Sequence, residues 1–157
     1  ADSFALGRFA KAEIQGQTSF GSAIDGIARS HVVLGLRTTT VDFLQLTTDG
    51  LESTTVNTPK LVRDGIFDIT AVVLARQVGT NNWARFERRA VVRKNGSSTA
   101  LAGATTPTPD VFTGITGINA TLGASGGGLL YVAVEGLDAV AIQWGAFLTI
   151  NALNLNV

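Results

Sequence analysis

The residues from Ala139 to Ile150 alternate strictly. Val140, Ile142, Trp144, Ala146, Leu148 and Ile150 are apolar, while Ala139, Ala141, Gln143, Gly145, Phe147 and Thr149 between them are mixed and small. Side chains of an extended strand point to opposite faces in turn, so the pattern predicts a strand with one face in a dry core. Leu129 to Glu135 precedes it, and the intervening Gly136-Leu137-Asp138 predicts a turn that makes the two a hairpin.

The same signal recurs upstream. Ile66 to Gln77 and Trp83 to Lys94 predict a second hairpin around the turn residues Val78-Gly79-Thr80-Asn81-Asn82. In the latter strand Ala84, Phe86, Ala90 and Val92 share one side, and Arg85, Glu87, Arg89 and Arg93 the other. Arg88 interrupts the apolar side and must leave at an edge or find an acid. Asn95-Gly96 predicts a tight reversal into a short strand from Ser98 to Leu101. Ser30 to Leu36 and Val41 to Leu46 read as two more strands. Residues 103–128 are irregular, with short strands at Val111-Phe112 and Ile118 to Leu122, and Gly126-Gly127-Gly128 reads as a flexible connector. About eight to ten strands with little helix predict an all-β fold, an antiparallel sandwich of jelly-roll type, anchored by Trp83 and Trp144. In the first thirty residues Phe4, Leu6, Phe9, Ile14, Phe20, Ile24 and Ile27 follow neither the helical nor the extended period. Residues 1–30 are therefore expected to form a stem that packs against copies of itself, and 31–157 the sandwich head.

Composition narrows function. Hydrophobic residues make up 45% of the 157 and charged residues 15%, against about 25% charged in ordinary soluble domains. Such a chain is expected to hide apolar surface in an oligomer. Without Cys there is no disulfide framework, thiolate nucleophile or zinc ribbon. Twelve basic against twelve acidic residues argue against an electrostatic nucleic-acid binder. No apolar run is long enough for a membrane-spanning helix. The chain opens Ala1-Asp2-Ser3 without Met, which reads as a processed chain or an excised fragment.

Chemical motifs are sparse. The single His, His31, lies in a strand-like run with no nucleophile elbow to serve, and reads as a structural or surface residue. Asp64, Asp68, Glu87 and Glu135 supply no carboxylate pair that the sequence singles out. The loop Gly123 to Gly128 leads into a strand without the Lys of a phosphate-binding loop. Arg85, Arg88, Arg89, Arg93 and Lys94 form the densest charge cluster, which reads either as a solvated strand face or as a site for an acidic sugar or phosphate. Trp83 reads either as a buried anchor or as an exposed ring on which a sugar stacks, with Tyr131 and Phe112 as further options. No cofactor or metal is expected.

The ordered segments Gly7-Arg8-Phe9-Ala10, Val33-Leu34-Gly35-Leu36-Arg37-Thr38-Thr39-Thr40, Leu46-Thr47-Thr48-Asp49-Gly50, Trp83-Ala84-Arg85-Phe86 and Leu101-Ala102-Gly103 form a series. Leu130 to Gly136 and Ile142 to Ala146 close it. The series resembles the C-terminal β-rich region of bacteriophage tail fibres and tailspikes. That resemblance implies a virion-associated homotrimer at a fibre tip, with other tail proteins as partners and no catalytic residues to carry over. The expectation is a non-enzymatic domain that binds a bacterial surface polysaccharide or lipopolysaccharide as host receptor, without nucleic acid or membrane insertion. Recognition would run through the loops Val78 to Asn82, Lys94 to Ser98 and Ala104 to Asp110, with Asn81, Asn82, Trp83 and Arg85 as the binding groups. The alternative is a purely structural trimerisation or capping domain, with a polysaccharide-cleaving enzyme as a third reading.

Overall fold

The computed structural model describes residues 4–6, 17–21, 27–54 and 57–154. Its strands in chain order are β1 (Phe4–Leu6), β2 (Thr18–Gly21), β3 (Ile27–Thr38), β4 (Phe43–Gln45), β5 (Gly65–Gln77), β6 (Trp83–Asn95), β7 (Ser98–Thr105), β8 (Val111–Thr113), β9 (Asn119–Ser125), β10 (Leu129–Glu135) and β11 (Ile142–Asn154). Among the described residues there is no α-helix.

The strands form two unequal layers of a sandwich. The larger sheet has the order β1-β2-β3-β11-β5-β6-β7, with β8 also paired to β6, and the smaller has the order β4-β10-β9. Among the described residues only the β1–β2 pairing is parallel. β11, the strand of strict alternation, lies between β3 and β5. Its Ile142, Trp144, Ala146, Leu148 and Ile150 are buried, as are Val32 and Leu34 of β3, Phe67, Ile69, Ala71 and Val73 of β5, and Ala84, Phe86, Ala90 and Val92 of β6. Leu122, Leu130, Val132 and Val134 face them from the smaller sheet, and all belong to one core. The Trp144 indole meets its polar requirement inside that core by donating from Nε1 to Thr38 Oγ1 at 2.9 Å.

The predicted hairpin of residues 66–94 is present as β5 and β6, and Gly96 (φ 58°) supplies the left-handed residue of the next reversal. The returning chain runs beside β6 in two pieces. β7 pairs with Asn95 back to Arg89 and β8 with Arg85 back to Trp83, with a register shift between Arg89 and Val91. A loop carrying Pro107 and Pro109, which have no backbone N–H to donate to a ladder, separates the pieces.

Three expectations are corrected. β10 and β11 are not a hairpin, because β10 pairs with β4 and β9 while β11 pairs with β3 and β5. Both strands have apolar inner faces, and facing each other across the core buries more of that surface than lying side by side. The crossing is tight: a Cβ on Gly136 would stand 2.7 Å from both Thr38 Oγ1 and the Thr40 carbonyl oxygen. Trp83 is not a core anchor, since its neighbour Ala84 takes the inward position and the indole is 42% exposed. Finally, Gly126–Gly128 is a hydrogen-bonded turn with Gly127 and Gly128 left-handed, at φ 74° and 85°, rather than a flexible connector. Gly127 N donates to Ser97 O at 3.1 Å and Gly128 N to Thr99 Oγ1 at 2.9 Å, while Leu61 N donates to Gly128 O at 2.7 Å.

β1 and β2, from within the first thirty residues, extend the larger sheet through β3. The expected stem contacts of Phe9, Ile14 and Ile24 lie outside the described residues.

Gly128 combines a left-handed φ of 85° with a backbone so close that a Cβ would collide with the Leu61 carbonyl oxygen. Gly128→Ala is therefore expected to destabilise the fold by about 2–4 kcal/mol in urea unfolding. Gly126→Ala, which points into open space, is expected to change it by less than about 0.5 kcal/mol.

Candidate functional site

Only the inner face of the larger sheet is covered by the smaller one. On the outer face, cross-strand register assembles rows of side chains from residues far apart in sequence. Arg37, Gln143, Arg76 and Trp83 form one such row across β3, β11, β5 and β6. Gly35, Gly145, Leu74 and Arg85 form the next, and Val33, Phe147, Val72 and Glu87 the one after. The middle row is low over β3 and β11, where both of its members are glycines. A Cβ would meet nothing nearer than 3.6 Å at Gly35 and 4.0 Å at Gly145, so these glycines leave open space rather than relieve a clash.

The result is a trough in two connected lobes. One, of about 390 Å³, is lined by Leu74, Arg76, Trp83, Gln143, Gly145 and Phe147 among others. The second, of about 530 Å³, runs over Val33, Gly35 and Arg37 to the loop Thr48-Asp49-Gly50, and shares Gln143 and the Trp144 segment with the first. Trp83 (42% exposed), Leu74 (43%), Phe147 (48%) and Val33 (55%) give it apolar surfaces, while Gln143 and the two guanidiniums give it planar hydrogen-bonding groups. Flat apolar faces beside planar donors are the chemistry that grips a ring bearing hydroxyls on its rim.

Of the groups expected to bind a ligand, the structure brings Trp83 alone into this trough. Asn81 is exposed in the β5–β6 turn. Asn82 is spent within that turn: its Nδ2 donates to Gln77 Oε1 at 2.8 Å and its backbone N to Thr80 Oγ1 at 3.1 Å. Arg85 donates to Glu87 Oε2 at 2.8 Å and to Thr108 Oγ1 at 3.2 Å. Gln143, Arg76, Arg37 and Phe147 escaped notice because the apolar face of an alternating strand signals burial, and its polar face signals nothing by itself. The small Gly145 at the centre of that outward face was the available clue.

Four members of the dense basic cluster, Arg85, Arg88, Arg89 and Lys94, form ion pairs, and Arg93 is exposed. Arg89 makes a two-pronged contact with Asp68, 2.9 and 2.8 Å, and Lys94 Nζ donates to Asp64 Oδ1 at 2.9 Å. The carboxyls of Asp64, Asp68 and Glu87 are held below their usual values: Asp64 by the Lys94 hydrogen bond, Asp68 by that of Arg89 and Glu87 by that of Arg85. Arg88, at an inward position of β6, does find an acid. It reaches through the gap between β7 and β8 to Asp110, at 2.6 and 2.9 Å, and donates from Nε to the Ala120 carbonyl at 2.8 Å. Its guanidinium carbon lies 5.4 Å from the centre of the Phe86 ring. Asp64, Asp68 and Glu87 are thus structural. His31 is exposed, 3.3 Å through Nδ1 from Thr149 Oγ1, with its ring edge-on to Phe20. Among the described residues, no group of His, Cys, Asp and Glu could hold a metal ion.

No family model matches the chain, and no curated protein matches it. A solved structure to which it is similar is the tailspike protein gp49 from Acinetobacter baumannii bacteriophage Fri1, a capsular polysaccharide depolymerase. The two align with a TM-score of 0.47 and 13% identity, over 90% of this chain and 22% of that one. The chain spans about a fifth of that protein's length, and the likeness assigns no residue a role. The expectation of a non-enzymatic domain is corrected on this finding, because the neighbouring protein is described as an enzyme. That expectation rested on missing motifs, and a site assembled across strands leaves no motif.

The Arg88–Asp110 pair is a charge contact at an inward position that ties the Pro107–Pro109 loop to the sandwich. Its two side chains are 13% and 25% exposed. Asp110→Ala strands a half-buried guanidinium, and a loss of about 2–4 kcal/mol in urea unfolding is expected. Combining it with Arg88→Met removes the stranded charge and is expected to restore at least half of that loss.

Proposed function

We propose that this chain is a β-domain of a bacteriophage tail fibre or spike that holds a bacterial surface glycan in the trough on its outer sheet face. The observation that carries the reading is the placement of an exposed indole and an exposed phenyl ring around a glycine floor, beside Gln143, on strands rather than loops. The tail assignment draws on the sequence resemblance, and the virion is the location it entails. Side chains on paired strands are held in fixed geometry, so little ordering entropy opposes binding. The binding groups in this reading are Trp83, Phe147 and Gln143, with Asn82 and Arg85 keeping the turn and strand in shape beneath them.

A homotrimer belongs to the same proposal. Val41, Phe43 and Leu51, in and beside β4, are 53%, 55% and 66% exposed, apolar surface that suits contact with a second copy of this chain. Three troughs on one rigid tip would act at high effective concentration on a repeating polymer.

Binding to an array of purified bacterial capsular polysaccharides and lipopolysaccharides tests the reading. Trp83→Ala and Phe147→Ala are each expected to weaken binding by about tenfold, and Gly145→Leu to abolish it by filling the floor. Unchanged binding in all three variants would place the ligand elsewhere. Release of reducing ends during incubation with the bound polysaccharide measures cleavage in the same samples. Light scattering is expected to give three copies per particle, and a monomer at micromolar concentration would overturn the trimer.

A further inference from the structure

The trough carries charge that nothing among the described residues neutralises. Most basic side chains on the larger sheet have partners: Arg29 donates to Asn151, Arg85 to Glu87, Arg88 to Asp110, Arg89 to Asp68 and Lys94 to Asp64. Arg37, Arg76 and Arg93 differ, and of these Arg37 and Arg76 line the trough. Both are exposed, and among the described residues neither guanidinium makes a hydrogen bond or ion pair. Both stand opposite Gln143, one on each side, in the row that ends at Trp83. Adjacent strands are about 4.8 Å apart, so the two arginines sit roughly 10 Å from each other on either flank of the amide.

The trough's own carboxylate does not answer them. Asp49 Oδ1 is turned into its loop, where it accepts from Leu51 N at 3.0 Å, Thr47 Oγ1 at 3.1 Å and Asn57 Nδ2 at 2.9 Å. These bonds hold it ionised, the Leu51 amide foremost, and no arginine contributes. Two unpaired forks on a partly apolar floor in a chain of zero net charge are a local, directional excess of positive charge. A guanidinium matches a planar carboxylate in two-pronged geometry.

We infer that the glycan held in the trough is acidic, with a sugar carboxylate seated against Arg37 or Arg76 and the sugar ring against Trp83 and Phe147. This rests on the glycan-binding reading above and adds the class of sugar. Neutral polysaccharides would leave both guanidiniums without a partner in a site that the ligand has closed to water, which costs affinity.

The test uses the full chain and an array of purified bacterial capsular polysaccharides. Uronic-acid-containing polymers are printed beside their carboxyl-reduced forms, together with naturally neutral polymers. Binding is expected on the acidic polymers, to fall at least about tenfold on carboxyl reduction and to weaken as salt rises from 50 to 300 mM, by roughly the loss of one charge-assisted contact. Arg37→Gln and Arg76→Gln are expected to weaken binding to the acidic polymers by about fivefold or more in at least one case. Arg93→Gln removes the same charge from the far end of β6 and is expected to change nothing. Equal binding to acidic and carboxyl-reduced polymers, or preference for neutral ones, overturns the acidic inference while sustaining the glycan reading. Unaltered binding by both arginine variants also overturns it. No binding to any polymer overturns both. An assembly in which acrylamide cannot quench Trp83 fluorescence identifies the trough as a contact between copies, which likewise overturns both.

Discussion

Burial of one face of β11 is the constraint on which the rest depends. The strand sits in the middle of the larger sheet, and its inward residues Ile142, Trp144, Ala146, Leu148 and Ile150 are nearly inaccessible. A one-residue slip against β3 or β5 would put this whole set into water and bring Gln143 and Thr149 into the core. The register of the central strands is therefore strongly specified. Everything on the outer face inherits its position from that register, including the row from Arg37 to Trp83.

The layers differ in size, and the difference has a chemical consequence. The three-stranded sheet covers part of one face of a much wider sheet, so the outer face keeps apolar side chains in contact with water. At the covered edge the opposite problem arises, because β6 places two cations at inward positions. Lys94 is buried and paired with Asp64 under the Gly128 turn, while Arg88 leaves through the gap between β7 and β8. An inward cation costs desolvation that only a well-placed acid and carbonyl offset. The interruption of the edge strand gives Arg88 both, in Asp110 and Ala120 O.

Much of this fold was legible residue by residue. The β5–β6 hairpin, the Asn95-Gly96 reversal, the inward set of β11 and the need of Arg88 for an acid all follow from alternation and turn chemistry over neighbouring residues. The partners of β10 were not legible, because an apolar strand can be buried equally well beside or opposite another. Nor was the order in Gly126–Gly128. Three consecutive glycines carry no side-chain signal, and what fixes them is hydrogen bonding to Ser97, Thr99 and Leu61 from other parts of the chain. Trp83 was ambiguous because a single aromatic ring suits core or surface, and only the phase of its strand decided.

By itself the sequence determined the class of fold and which face of each strand turns inward, since extended backbone sends successive side chains to opposite sides whatever their neighbours are. It also determined what this chain lacks the side chains to do: thiol chemistry and zinc ligation by cysteine. The tertiary structure alone decided which outward residues stand together. Arg37, Arg76, Trp83 and Gln143 come from four strands, and their row exists only because long-range pairing sets the register between segments that share no local pattern.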